Sequence, residues 1–426
     1  MFALTFKTVN KWGRKSFLAV LDQGLFSSGN FLINILLARW LNPEEYGGFA
    51  IAFSIMLFFA GVANSLIFEP MMIFGSTYFK ETLSSYLSKV LRGYIGLSIT
   101  LSILFVILSL FIKGDIKKIL LSCAIALPFI LIVWFYRRTF YLTSKLSSAA
   151  ILSGINSFIL IFGIITFRYF DILSATSAYL IFIFASLLST LVFSITFQKN
   201  NNNMINSCDF KIVLNKHWEF GKWIMLASFA SSITTLIYAP MLGLFASINE
   251  AGAFKAIQNL ITPFQQILAA LSLLILPELS YKAHTLSKNN FFNTLKLILT
   301  FFFIFGLVYC FVILFFGEEI ITTLYSNNFY SNFYWLLYPF SIIIIISGVL
   351  EPLSITFRAF ENPKIILLSK FISALFILIS CITFITKMKI LGVTICMMIS
   401  INFELLIQIY FLIKIFKNNK IYKREK

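Results

Sequence analysis

The sequence predicts an all-α polytopic membrane protein, and three observations point there. Apolar residues make up 59% of the 426-residue chain, and its mean hydropathy is +0.90. Those residues fall into twelve long runs, each close to the ~20 residues a helix needs to cross hydrocarbon. Basic residues gather on alternate sides of the runs, as loop charge does in membrane proteins. Too few hydrophilic residues remain for a separate soluble domain.

The spans read near 17–38, 49–74, 93–113, 119–136, 147–167, 174–197, 223–246, 253–277, 293–316, 333–357, 365–386 and 391–413. One face carries only Arg39, Lys113, Lys117, Lys118, Arg168, Lys255, Lys387 and Lys389 out of 34 basic residues. The other 26 lie on the opposite face, which the positive-inside rule assigns to the cytoplasm. Both termini then lie in the cytoplasm. The first run is long and lacks a small-residue cleavage pattern, so it reads as a retained span. Residues 1–16 mix Phe2, Leu4 and Phe6 with Lys7 and Lys11 and suit the membrane interface as a cytoplasmic amphipathic segment.

The net charge of +17 reflects this loop bias and a basic tail over residues 414–426, facing an anionic leaflet. Nucleic acid is not a partner on this reading, because no soluble domain carries a basic face. Cys123, Cys208, Cys310, Cys381 and Cys396 form no C-x-x-C pair, so no disulfide framework, metal site or cofactor follows. His217 and His284 read as residues of cytoplasmic loops.

The chain repeats itself. Glu45-Tyr46-Gly47-Gly48-Phe49 and Glu250-Ala251-Gly252-Ala253-Phe254 both give E-x-G-x-F, offset by 205 residues, in what read as outer loops with turn-forming glycines. Pro70 reads as the end of the second span beside Glu69, and Pro277 as the end of the eighth beside Glu278. Ser27-Ser28 matches Ser231-Ser232 in spans one and seven. The polar stretch Gln198–Phe220, with Asn200 to Asn203, reads as a linker. The expected organisation is a six-helix bundle over 17–197, a cytoplasmic linker over 198–222 and a second bundle over 223–413. An even number of spans per half makes the two bundles parallel and pseudo-symmetric.

Three polar stripes lie within the spans. Span one carries Gln23, Ser27, Asn30 and Asn34 on one helical face. Span eight carries Lys255, Gln258, Thr262, Gln265 and Gln266, and span seven carries Ser228, Ser231, Ser232 and Thr235. Polar groups facing lipid go unsatisfied, so these stripes face protein or water. They serve either interhelical hydrogen bonding or a hydrated cavity. Intramembrane ionisable groups are functional candidates by default. Asp22, Glu351 and Glu404 are candidates for ion coupling, with Asp22 alternatively a local hydrogen-bond acceptor. Arg137 and Arg138 either anchor span four at the cytoplasm or join Lys255 and Arg39 in a cation-lined cavity. No nucleotide-binding loop or hydrolase motif occurs, which excludes transport driven by the chain's own ATP hydrolysis.

The run from Leu37 to Ala50, Leu-Ala-Arg-Trp-Leu-Asn-Pro-Glu-Glu-Tyr-Gly-Gly-Phe-Ala, resembles the LAR-x-L-x-P-E-E-[FY]-G-x-F-A signature of polysaccharide exporters in the MOP (multidrug/oligosaccharidyl-lipid/polysaccharide) superfamily, especially O-antigen flippases of the Wzx type. Glu250 to Ser280 resembles that family's eighth-span segment. The resemblance implies a MATE-like fold of two six-helix bundles that alternates between inward- and outward-open states. It implies a transporter rather than an enzyme, in the bacterial inner membrane. The implied substrate is an undecaprenyl-pyrophosphate-linked oligosaccharide, the implied coupling is to a proton or sodium gradient, and the implied partners are an O-antigen polymerase and a chain-length regulator. Lys255, Arg39, Arg137 and Arg138 would meet the pyrophosphate. Gln23, Asn30, Asn34, Gln258, Gln265 and Gln266 would meet the sugars. The competing readings are an organic-cation antiporter of the same superfamily and a lipid-linked sugar polymerase or ligase.

Overall fold

A computed structural model describes residues 2–199, 208–285, 287–325, 328–360 and 362–418. Asn200 to Asn203 and residues 419–426 lie outside the described residues, as do the side chains of the N-terminal segment. Every regular element among the described residues is helical. The chain divides into two compact units, Met1–Phe229 and Ala230–Lys426.

In the first unit, α1 (Phe2–Trp40) is one continuous helix. The second apolar run begins with α2 (Pro43–Ala63). It passes through a π-helical turn at Asn64–Phe68 and continues as α3 (Glu69–Ser76). Then follow α4 (Leu83–Leu110), α5 (Ile116–Leu142), α6 (Leu146–Tyr169) and α7 (Ala175–Lys199). Helix α8 (Phe210–Leu236) contains the boundary between the units. In the second unit, α8 bends by 56° into α9 (Tyr238–Phe245), and α10 (Ile248–Asn259) bends by 47° into α11 (Thr262–Thr285). Next come α12 (Lys288–Leu324), the short α13 (Asn328–Ser331), α14 (Leu337–Ala359) and α15 (Lys364–Asn418). Helix α15 is two helical arms joined at Lys389, whose φ of 51° and ψ of −128° break the helix.

Among the described residues, seven helices are long and apolar enough to cross a membrane, and the two bent pairs raise that to nine if each counts as one span. The two arms of α15 account for one further span. The remaining runs are α1 (Phe2–Trp40), diluted by Asp22, Gln23, Asn30 and Asn34, and the 25-residue α7 (Ala175–Lys199). The molecule is a multi-pass membrane protein.

The two E-x-G-x-F motifs are not loops. Asn42 caps α2 by accepting the Glu45 N–H at 2.8 Å, and Ser247 caps α10 by accepting the Glu250 N–H at 3.1 Å. Both capping residues have extended backbone, so each motif is the first turn of a helix. The glycines are buried helical residues rather than turn formers. A side chain at Gly48 would meet the tip of Ile119 on α5. The motif phenylalanines anchor each helix start. Phe49 is wholly buried and stacks 5.2 Å from Tyr179, whose hydroxyl donates to the Phe49 carbonyl at 3.0 Å. Phe254 is also buried, against Tyr238 and Phe340.

The expectation that Pro70 and Pro277 end their spans is corrected. Pro70 stands at the start of α3 and the chain stays helical to Ser76, while Pro277 lies within α11. Proline lacks an N–H, so each one frees the carbonyl four residues back. Pro70 frees that of Leu66, and His217 Nδ1 fills it at 3.0 Å. Pro128, inside α5, frees the Ala124 carbonyl, which accepts from Ser102 at 2.7 Å. His217 is therefore a buried helical residue of α8, not a loop residue, and His284 lies within α11. Buried carbonyls demand donors, and that demand draws α8 onto the second helix of unit 1.

Candidate functional site

Each unit contains its own set of charged groups at membrane depth. In unit 1 they centre on Asp22, wholly buried in α1. Arg137 Nη2 donates to Oδ2 at 2.7 Å and Arg137 Nε to Oδ1 at 3.3 Å. The Tyr141 hydroxyl donates to Oδ2 at 2.7 Å, and the Ser153 hydroxyl to Oδ1 at 2.5 Å. Arg137 and Tyr141 stand one turn apart on α5, so both reach α1 from one face. Phe26, one turn after Asp22, receives the guanidinium face at 3.9 Å. A close approach of α1 and α6 completes the pocket: Gly29 lies directly against Ser157, whose hydroxyl donates to the Leu25 carbonyl at 3.2 Å. Nearby, the Glu69 carboxylate accepts from Asn64 at 2.8 Å.

The span-one stripe spends its donors on its own helix. Gln23 is exposed and donates to Ser27 at 3.1 Å. Asn30 donates to the Phe26 carbonyl at 3.0 Å and Asn34 to the Asn30 carbonyl at 2.9 Å. Asn34 Oδ1 is buried without a partner. Arg138 and Arg39 are exposed, Arg39 at the end of α1.

In unit 2, Lys255 Nζ lies 3.3 Å from Gln258 Oε1, one turn along α10. No carboxylate lies within 4.0 Å of that ammonium among the described residues. The expected single stripe on span eight is corrected: the helix breaks at Leu260–Ile261, so Lys255 and Gln258 sit on α10 while the exposed Gln265 and Gln266 sit on α11. Glu351 on α14 accepts from Ser272 at 2.5 Å and pairs with Arg358 at 2.9 Å. Glu404 is buried in the second arm of α15, at 7% exposure. It has neither a hydrogen bond nor an ion pair among the described residues. Gln408, one turn on, accepts from Ser354 at 3.2 Å and donates to Ser369 at 3.3 Å.

Tyr141, Ser153 and Ser272 complete these clusters without having been singled out as site residues in the sequence. The i, i+4 spacing of Arg137 and Tyr141 is a usable signal; the two serines carry none.

No protein-family model and no curated protein matches the chain. Solved structures do. An inward-facing multidrug-resistance MATE transporter of the MOP superfamily superposes with a TM-score of 0.72 at 14% identity, over 96% of this chain and all of that one. The lipid II flippase MurJ, in an inward closed conformation, superposes with a TM-score of 0.72 at 18% identity, over 95% of this chain and 89% of that one. A MOP-superfamily transporter from Pyrococcus furiosus, described as having a binding pocket of reversed polarity, gives 0.63 at 12% identity, over 95% of both chains. This chain therefore has the fold of MOP-superfamily transporters.

Proposed function

We propose that the protein is a flippase of the bacterial inner membrane. It carries undecaprenyl-pyrophosphate-linked O-antigen or related polysaccharide repeat units by alternating access, coupled to an ion gradient. The observation that carries this reading is Lys255. Lys255 is half-buried as a residue, and its ammonium has an amide, not a carboxylate, as its partner among the described residues. An intramembrane cation without a counter-ion calls for an anionic ligand, and a pyrophosphate meets an ammonium with charge-assisted hydrogen bonds. Arg39 and Arg138 add exposed cations, and Gln258, Gln265 and Gln266 add amides that suit sugar hydroxyls. The signature at Leu37–Ala50 supports the same substrate class.

The second reading is an organic-cation antiporter, which needs a carboxylate free to receive the cation. Asp22 is engaged by four donor groups and offers none. Glu404 is the one observation that favours this reading.

Purified protein in proteoliposomes decides between them. A fluorescent undecaprenyl-pyrophosphate oligosaccharide should cross the bilayer, and Lys255→Ala should abolish that movement with the protein still correctly inserted. Movement of ethidium without movement of the lipid-linked sugar would overturn the proposal.

A further inference from the structure

The two arms of α15 run back antiparallel from Lys389, and three contacts fix their register. The Ser373 hydroxyl donates to the Ser400 carbonyl at 2.8 Å. Gln408 Nε2 donates to the Ser369 hydroxyl at 3.3 Å. Nearer the turn, Ser380 Oγ lies 3.6 Å from Cys396 Sγ. The first two contacts bracket one further pair of facing positions, Lys370 and Glu404. They face each other but do not join: no ion pair within 4.0 Å forms between them. Lys370 Nζ instead donates to the Ser231 hydroxyl of α8 at 3.2 Å.

We infer that Lys370 and Glu404 form a proton-linked switch in the second unit, in which Lys370 moves between Ser231 and Glu404 as Glu404 gains or loses one proton. A buried carboxylate with no counter-ion is expensive when charged. Glu404 must therefore carry a proton or acquire a cation, and the cation that faces it is Lys370. With the proton bound, Glu404 is neutral, Lys370 rests on Ser231 and the pair carries one positive charge. When the proton leaves for water, Lys370 crosses to the carboxylate and the pair is neutral. That crossing breaks the Lys370–Ser231 bond, a polar tie between α8 and α15. Ser231 lies between one and two turns before the 56° bend that leads into α9. Proton release thus frees the end of α8 at its bend.

Other charges around the pair are engaged or distant. On α14, Glu351 and Arg358 hold each other at 2.9 Å. On α9, the Tyr238 hydroxyl lies 3.3 Å from Ser400 Oγ. Within α15, Cys381 and Cys396 are buried nearer the turn. On α10, Glu250 lies toward the Lys389 end, 3.9 Å from that ammonium. The unit 1 cluster differs in kind. Asp22 has its arginine in contact and every oxygen satisfied, and so acts as a fixed strut.

The inference deepens the ion coupling of the proposed transporter, but its test needs no substrate. Infrared difference spectra of the full chain in lipid vesicles, acid minus alkaline, should contain the carbonyl stretch of a protonated carboxylic acid. Glu404→Gln should abolish that band. Lys370→Gln should move its titration to higher pH, because the ionised carboxylate loses the cation that faces it. Ser231→Ala should move it to lower pH, because Lys370 loses its alternative partner. A spectrum unchanged in Glu404→Gln overturns the switch. So does a titration unmoved in both Lys370→Gln and Ser231→Ala, which stands even where Glu404→Gln fails to fold. A failed sugar-flipping assay with these shifts intact would reject the substrate and keep the switch.

Discussion

Asp22 and Arg137 meet at 2.7 Å inside the first unit, with the carboxylate wholly buried and the guanidinium side chain only 11% exposed. Removing one partner of such a pair strands a charge in low dielectric and costs on the order of 3–5 kcal/mol. Arg137→Met should therefore lower the melting temperature of the purified protein sharply. Adding Asp22→Asn should recover most of that loss, because the stranded charge is gone. Thermal unfolding followed by tryptophan fluorescence checks both. A double variant no more stable than Arg137→Met would show that the pair is not the source of the stability.

The His217 bridge makes a second, independent prediction. A carbonyl only accepts, so Nδ1 must donate to Leu66, and Nε2 then accepts from the Tyr86 hydroxyl at 2.8 Å. His217→Ala leaves a buried carbonyl without its donor, at a cost of about 1–3 kcal/mol. It should also increase hydrogen exchange in the first half of α8. Tyr86→Phe keeps the Leu66 bond, losing the one to Nε2 and the 3.5 Å approach to the Pro70 carbonyl, and should cost less. Equal losses in the two variants would deny the carbonyl its role.

These cases mark what the sequence could and could not reveal. Spans were legible because hydropathy is a local property, and each apolar run became helical. The duplicated motif was legible as a repeat. Its meaning was not, because a capped helix start and a glycine turn share the same residues; only the extended Asn42 and Ser247 separate them. Pro70 looks like a stop in sequence, but a distant side chain, His217, supplies the donor that lets the helix continue. Lys370 is one of the 26 basic residues that the charge pattern assigns to the cytoplasmic face. Its partner Ser231 is 139 residues away, a separation no periodicity reports. Pairings across the chain, not elements, are what remained hidden.

Two glycines should respond differently to the same change. At Gly48, a new Cβ would lie 2.6 Å from the tip of the Ile119 side chain, which can rotate aside. At Gly221 on α8 it would lie 2.7 Å from the Ser65 carbonyl oxygen and 3.1 Å from the Leu66 Cα, both backbone. Alanine gains about 1 kcal/mol over glycine in a helix. Gly48→Ala should therefore be near neutral, while Gly221→Ala should lose about 1–3 kcal/mol to overpacking. Melting temperatures rank the two, and the reverse order would contradict the packing of α8 on the π-helical turn.

The assignment of faces is open to direct test. Within unit 1, the Tyr179 hydroxyl of α7 donates to the Phe49 carbonyl of α2 at 3.0 Å, joining the segments that follow the first and fifth loops. Ser85 Oγ accepts the Cys208 N–H at 3.2 Å, joining segments beside the second and sixth loops. Within unit 2, Glu250 accepts the Ile390 N–H at 3.0 Å and lies 3.9 Å from Lys389, joining the seventh and eleventh loops. Each contact joins segments that the charge pattern places on the same side, odd loops with odd and even with even. With 26 of 34 basic residues on the even side, that side should be cytoplasmic. Alkaline phosphatase fused after Lys288 should then be inactive, and the same reporter fused near Glu318 should be active. Green fluorescent protein should give the opposite pattern at both positions. Activity of the phosphatase at Lys288 and not at Glu318 would invert the whole assignment and place both termini outside.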